Sequence, residues 1–175
     1  REKAAIIVRG DRAVTGAGER GGALEVIRRR AQRVGAPVTI ARAGAVRPLG
    51  RDGIEVELDG RGAVRVGLLG RHQGSNAAVA AATLDALRDA GIASVSDEEM
   101  RVGFAAARWP GRMELIPKAL GGGDDRDLLL DGAHNEDGAA ALATSLHDLA
   151  PQLRGASGEL DAPLPVGGPG EIGDL

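Results

Sequence analysis

Leu128-Leu129-Leu130-Asp131-Gly132-Ala133-His134-Asn135 is a continuous apolar run that ends in an acid, turns at glycine and enters a helix. A continuous apolar strand that ends in Asp and Gly before a helix start is the geometry of a ligand-facing edge in an open α/β sheet. Ligands in open α/β sheets sit outside the carboxyl ends of the strands, where an acid can accept hydrogen bonds from ribose hydroxyls. Asp131 holds that position. It also holds the position of a helix cap, and spacing alone leaves both readings open.

Outward from this stretch the pattern alternates between strand and helix. A helix is expected from about Asn135 to Leu149, and strands over Arg112–Pro117 and Asp127–Leu130. Trp109-Pro110-Gly111 breaks the chain and marks a domain boundary. Before it, Ser96 with Glu99 three residues on forms a capping box for a helix to about Ala107. An Ala-rich helix ends near Ala90, with Gly91 after it. Strands are expected at Ala13–Ala17, Pro37–Ala41, Ile54–Leu58 and Val64–Leu69, with a tight turn at Asp59-Gly60 between the last two. Leu24, Ile27, Ala31 and Val34 line one face of a helix over Arg20–Val34, stopped by Gly35.

Composition narrows the function. The 175 residues hold one Trp, one Phe and no Tyr, so the core is aliphatic and no aromatic platform for single-stranded nucleic acid exists. The net charge of −3 favours neither a polyanion nor an acidic membrane surface. The basic run Arg28-Arg29-Arg30 with Arg33 therefore reads as a solvated helix face. No cysteine means no disulfide framework, which suits a cytoplasmic protein. No apolar run approaches the ~20 residues of a membrane span. The chain opens on Arg1 rather than Met, so a segment upstream is expected. From Gly155 onward there is no Lys or Arg, with six Gly and three Pro, and the stretch 151–175 is expected to be a disordered tail.

Few other residues invite chemistry. Arg112 opens a strand after the break, where a guanidinium can hold a phosphate by a two-pronged contact, although arginine is common in this chain. His72, Gln73 and Asn76 lie at a strand-to-helix junction; an amide there can read an adenine edge, or Asn76 can cap the helix. His72, His134 and His147 are too scattered for a zinc spacing. Of the 22 basic side chains only Lys3 and Lys118 are lysines. A lysine amine can take up CO2 as a carbamate and become an oxygen ligand for a metal, which arginine cannot do; Lys3 can equally be a surface residue. No Gly-x-x-x-x-Gly-Lys-[Ser/Thr] loop for ATP phosphates is present.

Four segments in order resemble the Mur ligase superfamily, and within it the folylpolyglutamate synthases, many of which are also dihydrofolate synthases. They are Glu2-Lys3-Ala4-Ala5-Ile6-Ile7, Leu69-Gly70-Arg71-His72-Gln73-Gly74-Ser75-Asn76-Ala77-Ala78, Arg108-Trp109-Pro110-Gly111-Arg112-Met113-Glu114 and Leu130-Asp131-Gly132-Ala133-His134-Asn135. The resemblance covers about positions 1–150 and implies an α/β fold. Positions 1–107 would be the end of a Mur-type central ATPase domain, and 108–150 the start of a Rossmann-like C-terminal domain. It implies ATP and Mg2+ as cofactors, and folate and L-glutamate as substrates, joined through an acyl phosphate by a monomeric enzyme. Lys3 is then similar to the carbamylated lysine that helps hold magnesium. Asn76 resembles the residue near adenine, Arg112 the one that reaches the terminal phosphate, Asp131 the ribose-binding acid and His134 the adjoining nucleotide-site histidine.

Ala5 stands where the family usually has Gly. The phosphate loop and folate-binding region would lie upstream, and the fragment is expected to be inactive alone. Two other readings stay open: another Mur-type amino-acid ligase acting on cell-wall precursors, and a non-catalytic nucleotide-binding remnant.

Overall fold

The computed structural model describes residues 3–18, 22–116 and 127–153. The expected tail over 151–175 lies almost wholly outside the described residues. A 3-10 turn, Lys3–Ile6, opens the chain. Strand β1 (Ala13–Thr15) then leads through helix α1 (Ala23–Val34) to β2 (Val38–Ile40), which pairs with β1 in parallel. This is a βαβ unit, the crossover that parallel pairing requires. Gly35 ends α1 in the left-handed region, its N–H satisfying a carbonyl of the last turn. Ile7, Ala31 and Ala36 form a small core under the unit.

The next unit is an antiparallel sheet of β3 (Ala43–Pro48), β4 (Ile54–Leu58) and β5 (Gly62–Val66), in that order. Strand β4 shows why it lies in the centre. Ile54, Val56 and Leu58 are buried, while Glu55 and Glu57 point to the other face. The period-two alternation gives one apolar face. Helix α2 (His72–Asp89) covers that face with Ala77, Ala78 and Ala81, whose small side chains let helix and sheet approach closely. Gly74 takes this further: a Cβ there would lie 2.5 Å from a methyl of Val46 on β3. Helix α3 (Asp97–Ala106) adds Met100 to the same core. The Ser96/Glu99 capping box is present, with Ser96 Oγ accepting from Glu99 N and Glu99 accepting from Ser96 N.

After the Trp109-Pro110-Gly111 break come β6 (Glu114–Ile116) and β7 (Leu128–Leu130), an antiparallel pair, and α4 (Glu136–Leu153). Strand β3 was not expected from sequence, because Gly44 and Pro48 interrupt its pattern. Helix α4 runs on through Pro151 rather than stopping at Leu149. In the apolar strand β7, Leu128 and Leu130 are exposed to 37% and 40%. No helix among the described residues is long and apolar enough to cross a membrane.

The turn between β4 and β5 is fastened by an arginine. Arg61 donates twice to Asp85 of α2 (2.6 and 3.1 Å) and once to Asp97 at the start of α3 (2.9 Å). Its side chain is only 13% exposed, and the two carboxylates hold its pKa above the ordinary arginine value. Arg101 of α3 in turn donates to the carbonyls of Arg61 and Ala63. Removing the guanidinium leaves Asp85 and Asp97 with Arg88 as their remaining cation (3.1 and 4.0 Å). Arg61→Met is expected to lower unfolding free energy by about 1–3 kcal/mol, as for loss of a charged hydrogen-bonding partner. Arg61→Lys, with a single ammonium in place of the fork, should recover only part. Urea denaturation of the three proteins checks this; equal midpoints would show the network to be idle.

Candidate functional site

Four of the residues singled out from sequence lie at the start of α2 and on two loops. Gly70–Asn76 enters α2, Gly111–Met113 precedes β6, and Asp131–Asn135 joins β7 to α4. The last two are bound together by Asp131. Its Oδ2 accepts the N–H of Met113 (2.9 Å) and its Oδ1 accepts the N–H of Ala133 (2.8 Å). Gly132 N–H donates to the carbonyl of Gly111 (2.8 Å), adding a third tie. Asp131 is therefore a clamp between two loops rather than a cap of α4. Asn135 caps that helix instead, its Oδ1 accepting from Gly138 N (2.8 Å).

The clamp holds an uncommon backbone. Met113 has φ +46°, in the left-handed region that non-glycine residues seldom occupy. Its side chain is 2% exposed and packs with Leu69 and Leu149. Burial and the Asp131 hydrogen bond together offset a strain that otherwise costs on the order of 1–3 kcal/mol. The beneficiary is Arg112, the residue before. Its side chain is exposed, and among the described residues its guanidinium meets no partner.

His134 stands beside Asp131 in the same loop, exposed, with Nδ1 2.9 Å from the carbonyl of Gly132. With Nδ1 donating to that carbonyl, Nε2 is left facing outward as an acceptor. Asn76 lies inside α2, so it is not the helix cap; Arg71 is, without a side-chain cap bond. Asn76 Nδ2 donates to Gln73 Oε1 (2.8 Å), and Gln73 is buried at 6% exposure. That fixes the Asn76 amide and turns its oxygen away from Gln73.

Lys3 opens the 3-10 turn that packs on α1, where Arg30 donates to the carbonyl of Ile7 (2.9 Å); the Lys3 side chain lies outside the described part of the structure. Among the described residues no three His, Asp or Glu side chains gather as a metal site.

Sequence reading gave His72 and Arg71 too little weight. Arg71 grips Asp148 of α4 with two hydrogen bonds (2.6 and 3.0 Å) and donates a third to the carbonyl of Val46 on β3 (3.0 Å). The same bond holds the Asp148 carboxyl below its ordinary range. Arg71 thus joins the sheet unit to the segment after the break. No local pattern signals a pair 77 residues apart. Beside it, Gly70 (φ +96°) is pressed from two sides. A Cβ there would fall 2.6 Å from the His72 ring and 2.8 Å from the Ser145 hydroxyl. That packing strips water from the imidazole and lowers its pKa from the ordinary 6.5; Asp131 opposes the shift and Arg112 adds to it. The His72 ring therefore feels both loops across the break.

No family model matches the chain. Relatives do. The dihydrofolate synthase/folylpolyglutamate synthase of Bacillus subtilis is 36% identical over 152 residues, 83% of this chain and 34% of that protein. The Mycobacterium tuberculosis folylpolyglutamate synthase solved with ADP and AMPPCP superposes with a TM-score of 0.69 at 29% identity, over 85% of this chain and 34% of that one. An FPGS solved with AMPPCP and folate gives 0.71 at 28% identity, over 84% of this chain and 36% of that one. The fold is thus that of a Mur-type α/β ligase, in a segment where two units meet. More narrowly, the chain is a homologue of the folylpolyglutamate synthases, and spans about a third of the length of the relatives it matches.

The electrostatics predict a titration. In NMR titrations of the three histidines, His72 should protonate below the ordinary value of about 6.5. Asp131→Asn should lower its midpoint further, and Arg112→Ala should raise it. Because the folded pKa is depressed, His72 favours the folded state least once pH falls below 6.5, where the unfolded chain takes the proton first. A His72 midpoint indifferent to both substitutions would separate the loops.

Proposed function

We propose that this segment supplies part of the nucleotide site of an ATP-dependent ligase that adds L-glutamate to folate, with dihydropteroate as a possible second acceptor. The observation that carries the reading is the clamp. Asp131 fastens the loop of an exposed arginine, which meets no partner among the described residues, to the loop that bears an outward-facing histidine. Relatives with this fold bind ADP, AMPPCP and folate, which supports the same ligand classes here.

The residues fit a nucleotide in kind. Each Asp131 oxygen keeps a lone pair beyond its amide bond and can accept from a ribose hydroxyl. Arg112 offers a planar fork to a terminal phosphate. Asn76, oriented by Gln73, offers an amide to an adenine edge, and His134 offers Nε2 beside the ribose. Phosphoryl transfer to the substrate carboxylate gives an acyl phosphate, which the amino group of glutamate attacks. Fixed cations stabilise the charge that spreads over the phosphoryl oxygens during transfer. In this chain that cation is Arg112. Among the described residues no three His, Asp or Glu side chains gather as a magnesium ligand set.

We carry Lys3 as a carbamylated metal ligand supplied by this chain. In the complete ligase, Lys3→Ala should remove most activity, with partial rescue by a small added carboxylate; full activity would remove Lys3 from the mechanism. The 175 residues alone should not turn over. A cell-wall ligase is the second Mur-type reading, which the folate-bound neighbour disfavours.

Asp131 and Arg112 should differ kinetically in the complete ligase. Ribose contacts are similar in ground and transition states, so Asp131→Ala should mainly raise KM for ATP. Charge on the moving phosphoryl peaks during transfer, so Arg112→Ala should mainly lower kcat, by roughly tenfold or more. Steady-state kinetics at varied ATP decide, and unchanged turnover in Arg112→Ala would end its assignment.

A further inference from the structure

Helix α4 meets the sheet unit along a seam that three consecutive residues make. Leu69 packs with Leu149, Gly70 lies against the hydroxyl of Ser145, and Arg71 holds Asp148. Ser145, Asp148 and Leu149 stand at i, i+3 and i+4 of α4, hence on one face. Contacts of this kind between two units of one chain leave relative motion as the default, unless the interface is large and apolar.

Arg71 is the member of the seam that opposes such motion. Its Nε and Nη2 donate to the two oxygens of Asp148 (2.6 and 3.0 Å), and its Nη1 donates to the carbonyl of Val46 on β3 (3.0 Å). A two-pronged contact fixes the angle of approach as well as the distance. The packing of Leu69 on Leu149 is non-directional and fixes neither. Arg71 also holds the Asp148 carboxyl below its ordinary range, so the pair stays charged at neutral pH.

The pair stands between the two halves of the candidate site. Arg71 leads into the stretch of α2 that carries Asn76, and Asp148 belongs to the helix that follows Asp131–Asn135. We propose that Arg71 and Asp148 form a latch that sets these halves against each other, so that Asn76 on one side and Asp131, His134 and Arg112 on the other are aligned before a nucleotide arrives. The proposal rests on the ligase reading for the identity of the ligand and adds the pair that supplies the alignment. Arg71 is a positioning residue: it touches none of the reacting groups and acts through the seam. An unlatched protein binds nucleotide more weakly, in proportion to the fraction of time it spends misaligned. Once ATP saturates the site, its own contacts with both halves restore the alignment. Loss of the latch therefore shows in KM rather than kcat.

The sequence contains no cysteine, so one placed at exposed Ala143 of α4 (Ala143→Cys) carries a nitroxide label uniquely. Paramagnetic broadening of amides in the 175-residue protein then reads how α4 sits on the sheet unit. Arg71 is half exposed, so the fold tolerates its removal. Arg71→Gln and Asp148→Asn should each alter the broadening over β3 and the start of α2, and leave that of β6 and β7 as it was. In the complete ligase the same substitutions should raise KM for ATP about threefold or more, with kcat nearly held. Arg71→Lys, which keeps the charge without the fork, should regain part of the loss. Broadening untouched by both substitutions overturns the latch, whatever the complete protein catalyses. Altered broadening with KM for ATP unmoved, or a loss confined to kcat, overturns its part in nucleotide alignment. Failure of the ligase reading looks different: no variant, the parent included, would release ADP with glutamate, while the broadening would still report the latch.

Discussion

One carboxylate sets the geometry on which the candidate site depends. Asp131 accepts two backbone N–H groups from two loops, and each bond fixes something different. The bond to Met113 holds a residue in the left-handed region, and so decides where Arg112 emerges. The bond to Ala133 shapes the turn that carries His134. A buried or half-buried amide without its acceptor costs about 1–3 kcal/mol, so the two loops are held as one unit. The same acid can still accept from a ligand, because each oxygen has a second lone pair.

A second constraint joins that unit to the rest. Leu69, Met113 and Leu149 form a small apolar core across the Trp109-Pro110-Gly111 break. Arg71 adds a two-pronged bond to Asp148 and reaches β3 as well. Gly70 allows the approach, having no Cβ to strike His72 or Ser145. Helix α4 is thereby seated on the start of α2. In enzymes where two units close over a nucleotide, such contacts are where closure is felt.

Much of this was legible in the residues. Alternating Ile54, Val56 and Leu58 declared a half-buried strand, and Ser96 with Glu99 declared a helix start, because both signals are local. Strand β3 was hidden, since Gly44 and Pro48 break its alternation while pairing with β4 holds it in place. The site was legible as a set of motifs and not as an arrangement. Asp131 looked like a cap or a ribose ligand, and its partner at Met113 lies 18 residues away, with no periodic signal to connect them. The pairing of Arg71 with Asp148 is long-range in the same way. Asn76 looked like a helix start only because the helix begins one turn earlier, at a residue without a capping side chain.

The central claim is that the start of α2 (Gly70–Asn76) and the segments Gly111–Met113 and Asp131–Asn135 form one nucleotide site. Backbone amide NMR of the 175-residue chain, titrated with AMPPCP, tests it most directly, because weak binding by part of a site still moves shifts. The account predicts that the amides of Asn76, Met113 and Ala133 shift together with a common apparent Kd, and that Asp131→Ala abolishes the shared response. Shifts confined to the arginine face of α1, or no saturable shift at any of the three segments, would contradict it.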